Sequence, residues 1–278
     1  MTQLVVTGYA SLDYAVGLAG QARGDSTTLI ADRDAAAWPR AGGCPTYISA
    51  AAVRAGQVAN PVMWIGSGSE GARFAGLLAA QGIGTGGLGV VDSARSPTAL
   101  MVYQADGSCM CLYDPALNRA EVLTPQQREL IAEASHLCIS VGPSQLMEEI
   151  VSLCPVGARL YWAVKNDTDA FPEKIRARLA ARADVIFHSA AERALIGETG
   201  AVLVETRGGG CVLVTQASGR SEIAVTRIET SDTTGAGDTF AGGYIAAEMA
   251  GADPVRAAGA GIEAAARLLA GRKRKDRE

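Results

Sequence analysis

The sequence predicts an α/β fold with a mostly parallel central sheet and a small second β-sheet. Three observations support this prediction. Apolar strands alternate with helical segments from Thr124 onward, a hairpin pattern occupies residues 96–113, and a glycine pair opens an alanine-rich helix at Gly42. Alternation of strands and helices is typical of a parallel sheet covered by helices on both faces, whereas a hairpin forms an antiparallel pair.

Composition indicates an ordinary globular protein. The chain has 278 residues, of which 48% are hydrophobic and 19% charged, and a formal net charge of −4. This length can bury a sizeable core, and so small a charge favours neither nucleic acid nor an anionic membrane as a partner. No stretch approaches the roughly 20 apolar residues of a membrane span. The six scattered cysteines fit reduced thiols, so we expect a cytoplasmic protein.

The first strand is predicted at Leu4–Thr7, a short β-branched run. Asp13 follows it, where open α/β sheets bind ligands, and its carboxylate oxygens suit the hydroxyls of a small substrate. The alternative for this residue is a turn-forming or capping role. Gly42 and Gly43 then open a helix that ends at Gly56, so backbone amides point at whatever lies in front of that helix.

A second glycine-rich turn follows the strand predicted at Val62–Ile65. Its glycines, Gly66, Gly68 and Gly71, match G-x-G-x-x-G between a strand and a helix, with Asp92 about 20 residues on, as dinucleotide-binding proteins have it. Taken alone this pattern is weak, and dinucleotide binding stays an alternative.

The clearest hairpin joins Ser96–Tyr103 to Ser108–Tyr113 through an Asp-Gly turn. After it, strands and helices alternate without a break in composition that would mark a second domain. The strands are predicted at 136–141, 159–164, 184–187 and 202–206, and the helices begin at Thr124 and span 144–153 and 172–181.

The stretch from Ser231 to Phe240, Ser-Asp-Thr-Thr-Gly-Ala-Gly-Asp-Thr-Phe, indicates an anion site. Its Gly-Ala-Gly centre allows a tight turn, and unpaired N–H groups at the start of the following helix favour phosphate. Asp238 lies in that first turn. A carboxylate beside a bound phosphate is costly unless it has a task, and the obvious task is to accept a proton from an attacking hydroxyl.

This stretch resembles the second signature of the ribokinase-like (PfkB) carbohydrate and nucleoside kinases. The resemblance implies a three-layer sandwich with a mostly parallel central sheet and a small β-sheet lid. The whole chain, 1–278, would be one kinase domain with lid segments inserted at about 14–40 and 96–114. Closure of the lid would exclude water, which prevents wasteful hydrolysis of ATP.

The resemblance also assigns roles around the acceptor. Asp238 would be the catalytic base, and the turn Gly235-Ala236-Gly237 would form an anion hole for the transferred phosphate. Asp13 and the Gly42-Gly43 pair would contact the substrate. Many sugar kinases of the family have Asn where this chain has Tyr47, and an aromatic ring there offers a stacking surface instead.

On the nucleotide side the resemblance assigns two residues to ATP and three to metals. Thr206 and Gly208 would lie along the nucleotide. Lys165 and Asn166 are candidates for phosphate contact because they lie at a strand end, and the alternative for both is a surface position. Glu192 would arrange magnesium through water, although Ser189 and Cys211 depart from the family pattern of Asn and Gly. Several members bind potassium beside the anion hole, which here would involve Asp232 and Thr234.

The four lysines exclude a Walker loop. Lys165, Lys174, Lys273 and Lys275 are the only ones, and none follows a glycine, so the motif G-x-x-x-x-G-K-[ST] cannot be present. Phosphate must therefore be held mainly by backbone amides, magnesium and arginine.

We interpret the chain as an ATP-dependent kinase of a small sugar or sugar-like substrate. An adenosine-type nucleoside kinase is the alternative within this class, favoured by Tyr47. A catalytically weak sensor of sugar or nucleotide is a second alternative, and a dinucleotide-dependent oxidoreductase a third. A homodimer formed through the lid is a further expectation, because an exposed sheet edge can pair with a second copy.

Overall fold

The computed structural model describes residues 3–33, 37–92, 94–230 and 232–272. Ser231, Lys273, Lys275 and part of the first expected lid segment, residues 34–36, lie outside the described residues. Within them, no helix is long and apolar enough to cross a membrane.

The larger sheet has nine strands, which are numbered in chain order over both sheets. They are β1 (Leu4–Thr7), β5 (Ala59–Gly66), β6 (Leu88–Val91), β9 (His136–Ile139), β10 (Arg159–Ala163), β11 (Val185–Ser189), β12 (Val202–Thr206), β13 (Cys211–Gln216) and β14 (Gly219–Ala224). Their order in the sheet is β14-β13-β12-β11-β10-β9-β1-β5-β6. From β6 to β12 all neighbours pair in parallel, and β13 and β14 add an antiparallel edge.

Alternating side chains of these strands fill two separate cores. In β1, Leu4 and Val6 point to one core and Val5 to the other, and all three are fully buried. A strand covered on both faces needs apolar residues at every position, which explains the continuous apolar run at its start.

Helices cover the two faces of this sheet. Ile131, Ile150 and Leu179 pack on one face, and Ile48, Tyr244 and Ala257 pack on the other. The first face carries α3 (Pro125–Ala132), α4 (Ser144–Leu153) and α5 (Glu173–Arg182); the second carries α1 (Cys44–Arg54), α6 (Ala236–Met249) and α7 (Pro254–Ala270). The molecule is therefore a three-layer sandwich, and the predicted fold class is confirmed.

A smaller sheet lies beside the sandwich. Its strands are β2 (Ser11–Leu18), β3 (Ile30–Asp32), β4 (Arg40–Gly42), β7 (Thr98–Tyr103) and β8 (Cys109–Asp114). They follow the order β3-β2-β7-β8, and β4 pairs with the start of β2 on the edge opposite β7. Leu12 and Ala41 pack with Phe74 and Leu78 of α2 (Ser69–Ala79), while the residues of β8 are all exposed. The predicted hairpin is present as the antiparallel pair of β7 and β8.

Two parts of the chain differ from the sequence-based expectation. Asp13 lies inside β2 of the smaller sheet, not in a turn after the first strand. The antiparallel pair of β13 and β14 was not predicted, because β14 alternates exposed polar residues with half-buried ones and has little of the apolar content by which the other strands were found.

Candidate active site

Helix α6 begins in a left-handed turn at Gly235, which has φ 72° and ψ 7°. The amide of Thr239 donates to the carbonyl of Gly235 at 2.8 Å, and this closes the first helical turn. The amide of Ala236 already donates to the carbonyl of Thr233 at 3.1 Å. Gly237 and Asp238 follow in the same turn, where helix geometry supplies no acceptor within the helix, so their amides best suit an incoming anion.

The carboxylate of Asp238 faces a lysine and a thiol. Its side chain is largely buried, and Lys165 Nζ lies 3.0 Å from its Oδ1. The charge of Asp238 raises the pKa of Lys165 well above the ordinary lysine value, although burial works to lower it. Lys165 follows the carboxyl end of β10, so the parallel sheet brings it to the first turn of α6. The predicted phosphate contact thus lies next to the predicted base, and Asn166 beside it is exposed.

Cys44 completes this group from the start of α1. Burial, and then the negative charge and hydrogen bond of Asp238, raise the pKa of the Cys44 thiol to about 12. The thiol therefore stays protonated at neutral pH and is a poor nucleophile.

We expect Cys44 to resist alkylation at pH 8, where a thiol with a pKa of about 12 is thiolate in only about one molecule in 10,000. The exposed Cys109 and Cys111 provide an internal comparison, and iodoacetamide should label them first. Asp238→Asn removes the charge that raises the pKa of Cys44, so this variant should label Cys44 faster. Peptide mass spectrometry over time measures each site, and equal labelling of Cys44 and Cys109 in the parent protein would contradict the arrangement.

Tyr47 links the anion turn to the expected substrate site. A Cβ at Gly235 would lie 2.5 Å from Cγ of the Tyr47 ring, so the turn rests directly on the ring. The Tyr47 hydroxyl donates to Asp13 Oδ2 at 3.0 Å, and only 8% of the residue is exposed. The ring that was expected to offer a stacking surface is used to support Gly235.

Asp13 is buried beneath the glycine pair. Ser11 Oγ donates to its Oδ1 at 2.5 Å and Tyr47 to its Oδ2. Burial raises the pKa of Asp13, which these two hydrogen bonds and the charge of Arg40 partly offset. A side chain at Gly42 would overlap the carboxylate, and Gly43, with φ 88°, turns the chain into α1. Asp13, Gly42, Gly43 and Tyr47 therefore form one packed unit.

A cleft of about 900 Å³ opens on the other side of the anion turn. Thr206 and Gly208, both predicted to lie along the nucleotide, line it together with Ala236 and Gly237. Gly107, at the tip of the hairpin of the smaller sheet, reaches the same cleft. The structure thus brings two of the four predicted nucleotide residues and part of the anion turn to one cavity, whereas Lys165 and Asn166 do not line it.

Glu192 lies close enough to Lys165 for its charge to contribute to the raised pKa of that lysine. Its Oε2 accepts the amide of Ser189 at 2.7 Å and caps a short 3₁₀ helix, Ala190–Leu195. A carboxylate at this point fits magnesium held through water, since magnesium keeps several waters and few protein ligands. Among the described residues, no group of three or more His, Cys, Asp or Glu could hold a metal alone.

Asp232 and Thr234 lie in the loop before the anion turn, amid two arginines and a tyrosine. Arg40 Nη1 is 2.5 Å from Asp232 Oδ2, and Tyr103 donates to Oδ1 at 2.8 Å. Arg272 Nη1 is 3.4 Å from the same Oδ1. Burial works to raise the pKa of Asp232, yet it falls to about 2, because the hydrogen bond and charge of Arg40 and the charge of Arg272 stabilise the ionised form.

This donor set does not fit a potassium ion at Asp232. Potassium prefers oxygen ligands free of other cations, whereas two guanidinium groups already neutralise this carboxylate. The potassium site stays a prediction, and the two arginines beside Asp232 disfavour it.

Sequence reasoning missed Arg40, Tyr103 and Arg272 as parts of the site. Arg40 directly precedes the Ala-Gly-Gly turn, and Arg272 is the first residue of the basic run Arg-Lys-Arg-Lys. The contacts with Asp232 span 192, 129 and 40 residues of sequence, so no local motif could have indicated them.

The turn at 66–71 does not form a dinucleotide site. It lies between β5 and α2, as the pattern requires, but the segment 94–96 fills its mouth: Ser96 Oγ accepts the amide of Gly66 at 3.0 Å, and the amide of Ser96 donates to Glu70 at 3.0 Å. Side chains at Gly66 and Gly71 would overlap nearby backbone. These glycines allow close packing and leave no room for a pyrophosphate.

The sequence is similar to that of one protein family. A family model described as pfkB family carbohydrate kinase matches residues 1–272. A search of the curated proteins found no match.

Three solved structures illustrate the shared fold. A ribokinase from Cryptococcus neoformans var. grubii in complex with ADP is 18% identical, with a TM-score of 0.78, and the match covers 98% of this chain and 100% of that one. A nucleoside kinase from Burkholderia thailandensis in complex with inosine is 18% identical (TM-score 0.79; 96% and 91% covered). A nucleoside kinase from Methanocaldococcus jannaschii, an archaeal member of the ribokinase family, is 13% identical (TM-score 0.80; 98% and 93% covered).

Proposed function

The chain belongs to the pfkB family of carbohydrate kinases, and from this premise we propose that it transfers the terminal phosphoryl group of ATP to a hydroxyl of a small sugar or sugar-like acceptor. The observation that supports this most directly is the position of Asp238. It lies in the first turn of α6, beside the amides of the anion turn and next to Lys165, and its neighbour Gly237 lines the 900 Å³ cleft.

Asp238 would accept the proton of the attacking hydroxyl. The Asp238 carboxylate is the group of the anion turn that can take a proton, and the ammonium of Lys165, 3.0 Å away, can shift from it to a phosphate oxygen when ATP binds. The amides of Gly237 and Asp238, at the positive end of the helix dipole, would stabilise the charge on the transferring group. Gly235 and Ala236 would act by shaping the turn.

Magnesium, when bound, would neutralise charge on the ATP phosphates, and Glu192 is the residue placed to hold its waters. Thr206 and Gly208 would contact the nucleotide along the floor of the cleft. Lys165 and Asn166 would meet the phosphates from the end of β10.

The acceptor would lie between Asp238 and the unit formed by Asp13, Gly42, Gly43 and Tyr47. The two hydrogen bonds from Ser11 and Tyr47 use only half of the roughly four lone-pair sites of the Asp13 carboxylate. The remaining lone-pair sites can accept hydrogen bonds from hydroxyls of the sugar. The smaller sheet would act as the lid over this site, inserted into a single kinase domain at about 14–40 and 96–114.

The observation that favoured a nucleoside acceptor no longer supports it. That alternative rested on Tyr47 as a stacking surface, and the structure packs the ring against Gly235 with the hydroxyl on Asp13. Nucleosides therefore enter the test as a comparison group.

The experiment is a measurement of ADP release from Mg-ATP with panels of pentoses, hexoses and nucleosides. Turnover with a pentose or hexose supports the proposal, and turnover with nucleosides alone selects the alternative. If no acceptor reacts while ATP raises the melting temperature, the chain is better explained as a nucleotide-binding sensor. A rise in melting temperature with NAD would instead support the alternative of a dinucleotide-dependent oxidoreductase.

A homodimer through the lid is a related proposal with its own prediction. The outer face of β8 exposes Met110 and Leu112, and an unpaired apolar strand face can bind a second copy. We expect the parent protein to sediment as a dimer and Leu112→Lys as a monomer. Val156→Lys, at a residue that is also exposed but lies outside this sheet, should leave the dimer intact. A monomeric parent protein would overturn the proposal.

A further inference from the structure

The loop that leads into the anion turn is held by cationic side chains where the family resemblance places potassium. Both carboxylate oxygens of Asp232 are engaged: Oδ2 by Arg40 at 2.5 Å, and Oδ1 by Tyr103 at 2.8 Å and Arg272 at 3.4 Å. The amide of Thr234 also donates to Oδ1, at 3.0 Å. Little capacity remains on this carboxylate for a further cation.

Arg272 also binds the backbone of the loop. Its Nη1 donates to the carbonyl oxygen of Thr234, the residue directly before Gly235. On the other side, the hydroxyl of Thr230 donates to the carbonyl of Arg272 at 3.4 Å. A backbone carbonyl and a carboxylate are the oxygens that a monovalent cation would need, and one guanidinium contacts both of them.

These charges are withdrawn from water. The exposed fraction of the side chain is 17% for Arg40, 17% for Asp232 and 13% for Arg272. Coulomb interactions are stronger at such partly buried sites than at an exposed surface, so the two arginines both neutralise Asp232 and repel a further cation.

We propose that Arg40 and Arg272 take the place of the monovalent cation beside the anion turn, so that this kinase needs no potassium. The inference rests on the proposed kinase function. Arg272 is the positioning residue that holds the Thr234 carbonyl and hence the approach to Gly235. Arg40 fixes the opposite oxygen of Asp232 from the smaller sheet.

The first test compares the parent protein in potassium, sodium and choline chloride at equal ionic strength. We expect phosphoryl transfer to agree within about twofold in the three salts, since only general screening remains. Activation by potassium of about tenfold or more, a difference of roughly 1.4 kcal/mol, would overturn the proposal.

The second test replaces Arg272. Arg272→Ala should lower kcat/KM by about 10- to 100-fold, the effect of losing one or two charge-assisted hydrogen bonds. Potassium or millimolar guanidinium chloride should restore part of the activity of this variant, because the vacated place beside Asp232 can then hold a small cation. Neither cation should activate the parent protein. Arg267→Ala, near the end of α7 and 71% exposed, removes the same charge and should behave like the parent protein.

Two measurements keep the test decisive. Arg272→Lys retains a cation and should remain independent of potassium even if Arg272→Ala fails to fold. Melting temperatures can be measured without turnover. Potassium should raise the melting temperature of Arg272→Ala more than sodium does, whereas the parent protein should melt at the same temperature in both salts. If no acceptor reacts, these temperatures still test the inference while the kinase function fails. The proposal would be refuted if Arg272→Ala were as active as the parent protein and did not respond to potassium. It would also be refuted if a folded Arg272→Ala lost activity that no cation restored.

Discussion

Asp238→Asn is expected to lower kcat by about 100-fold or more while the affinity for ATP changes little. The amide has nearly the shape of the carboxylate but cannot accept the proton of the acceptor hydroxyl. Lys165 loses its ion-pair partner at 3.0 Å, so its ammonium is left free to meet phosphate, which works to preserve nucleotide binding. Steady-state kinetics and calorimetric titration with a non-hydrolysable ATP analogue measure the two quantities separately.

Asp253→Asn is the matched control for this variant. Asp253 caps the start of α7 by accepting the amides of Val255 and Arg256, and asparagine caps a helix about as well as aspartate. The same chemical change there should leave kcat unaltered. If Asp238→Asn turned over as fast as the parent protein, Asp238 would not be the base.

Gly235→Ala is expected to reduce kcat by a similar factor for a geometric reason. The residue has φ 72°, a conformation that costs an L-residue roughly 1–2 kcal/mol, and its new methyl group would lie 2.5 Å from the Tyr47 ring. The turn, the ring or both must move, and a displacement of about 1 Å in a catalytic group can cost about 100-fold in rate. The kinetics of the purified variant, with its melting temperature, measure both effects.

Gly259→Ala provides the comparison for this substitution. Gly259 lies within α7, where an added Cβ would meet nothing within 4 Å, so alanine should be neutral or slightly stabilising. Relief of the Gly235→Ala defect by Tyr47→Ala would show that the ring is one source of it. Unchanged kcat in Gly235→Ala would mean that the turn does not need its observed shape.

Local sequence patterns were sufficient for most of the sandwich. The apolar run at Leu4–Thr7, the Asp-Gly hairpin and the glycine turn before α6 each specify an element through neighbouring residues, and the structure has all three. Strand β14 was not predicted because it pairs at an exposed edge and has few apolar residues. Propensity describes what a segment can form alone, and an edge strand depends on the partner that it meets.

The candidate site was less accessible to sequence reasoning than the fold. The position of Asp13 shortly after the first strand is plain from the sequence, but its burial under Gly42 and its hydrogen bond to Tyr47 depend on how β2 and β4 meet α1. Likewise, the partners of Asp232 come from three distant segments. Such contacts are set by tertiary packing, and a single sequence carries no signal for them.

The attachment of Asp232 to the smaller sheet has a consequence for the order of events. Arg40 belongs to β4 and Tyr103 to β7, so any outward movement of that sheet must break their bonds to the loop before Gly235. Sheet position and loop position are therefore thermodynamically linked, and the free energy of their coupling is the same in both directions. On the proposed function, an acceptor bound beneath the smaller sheet would therefore also favour the observed shape of the turn that begins at Gly235.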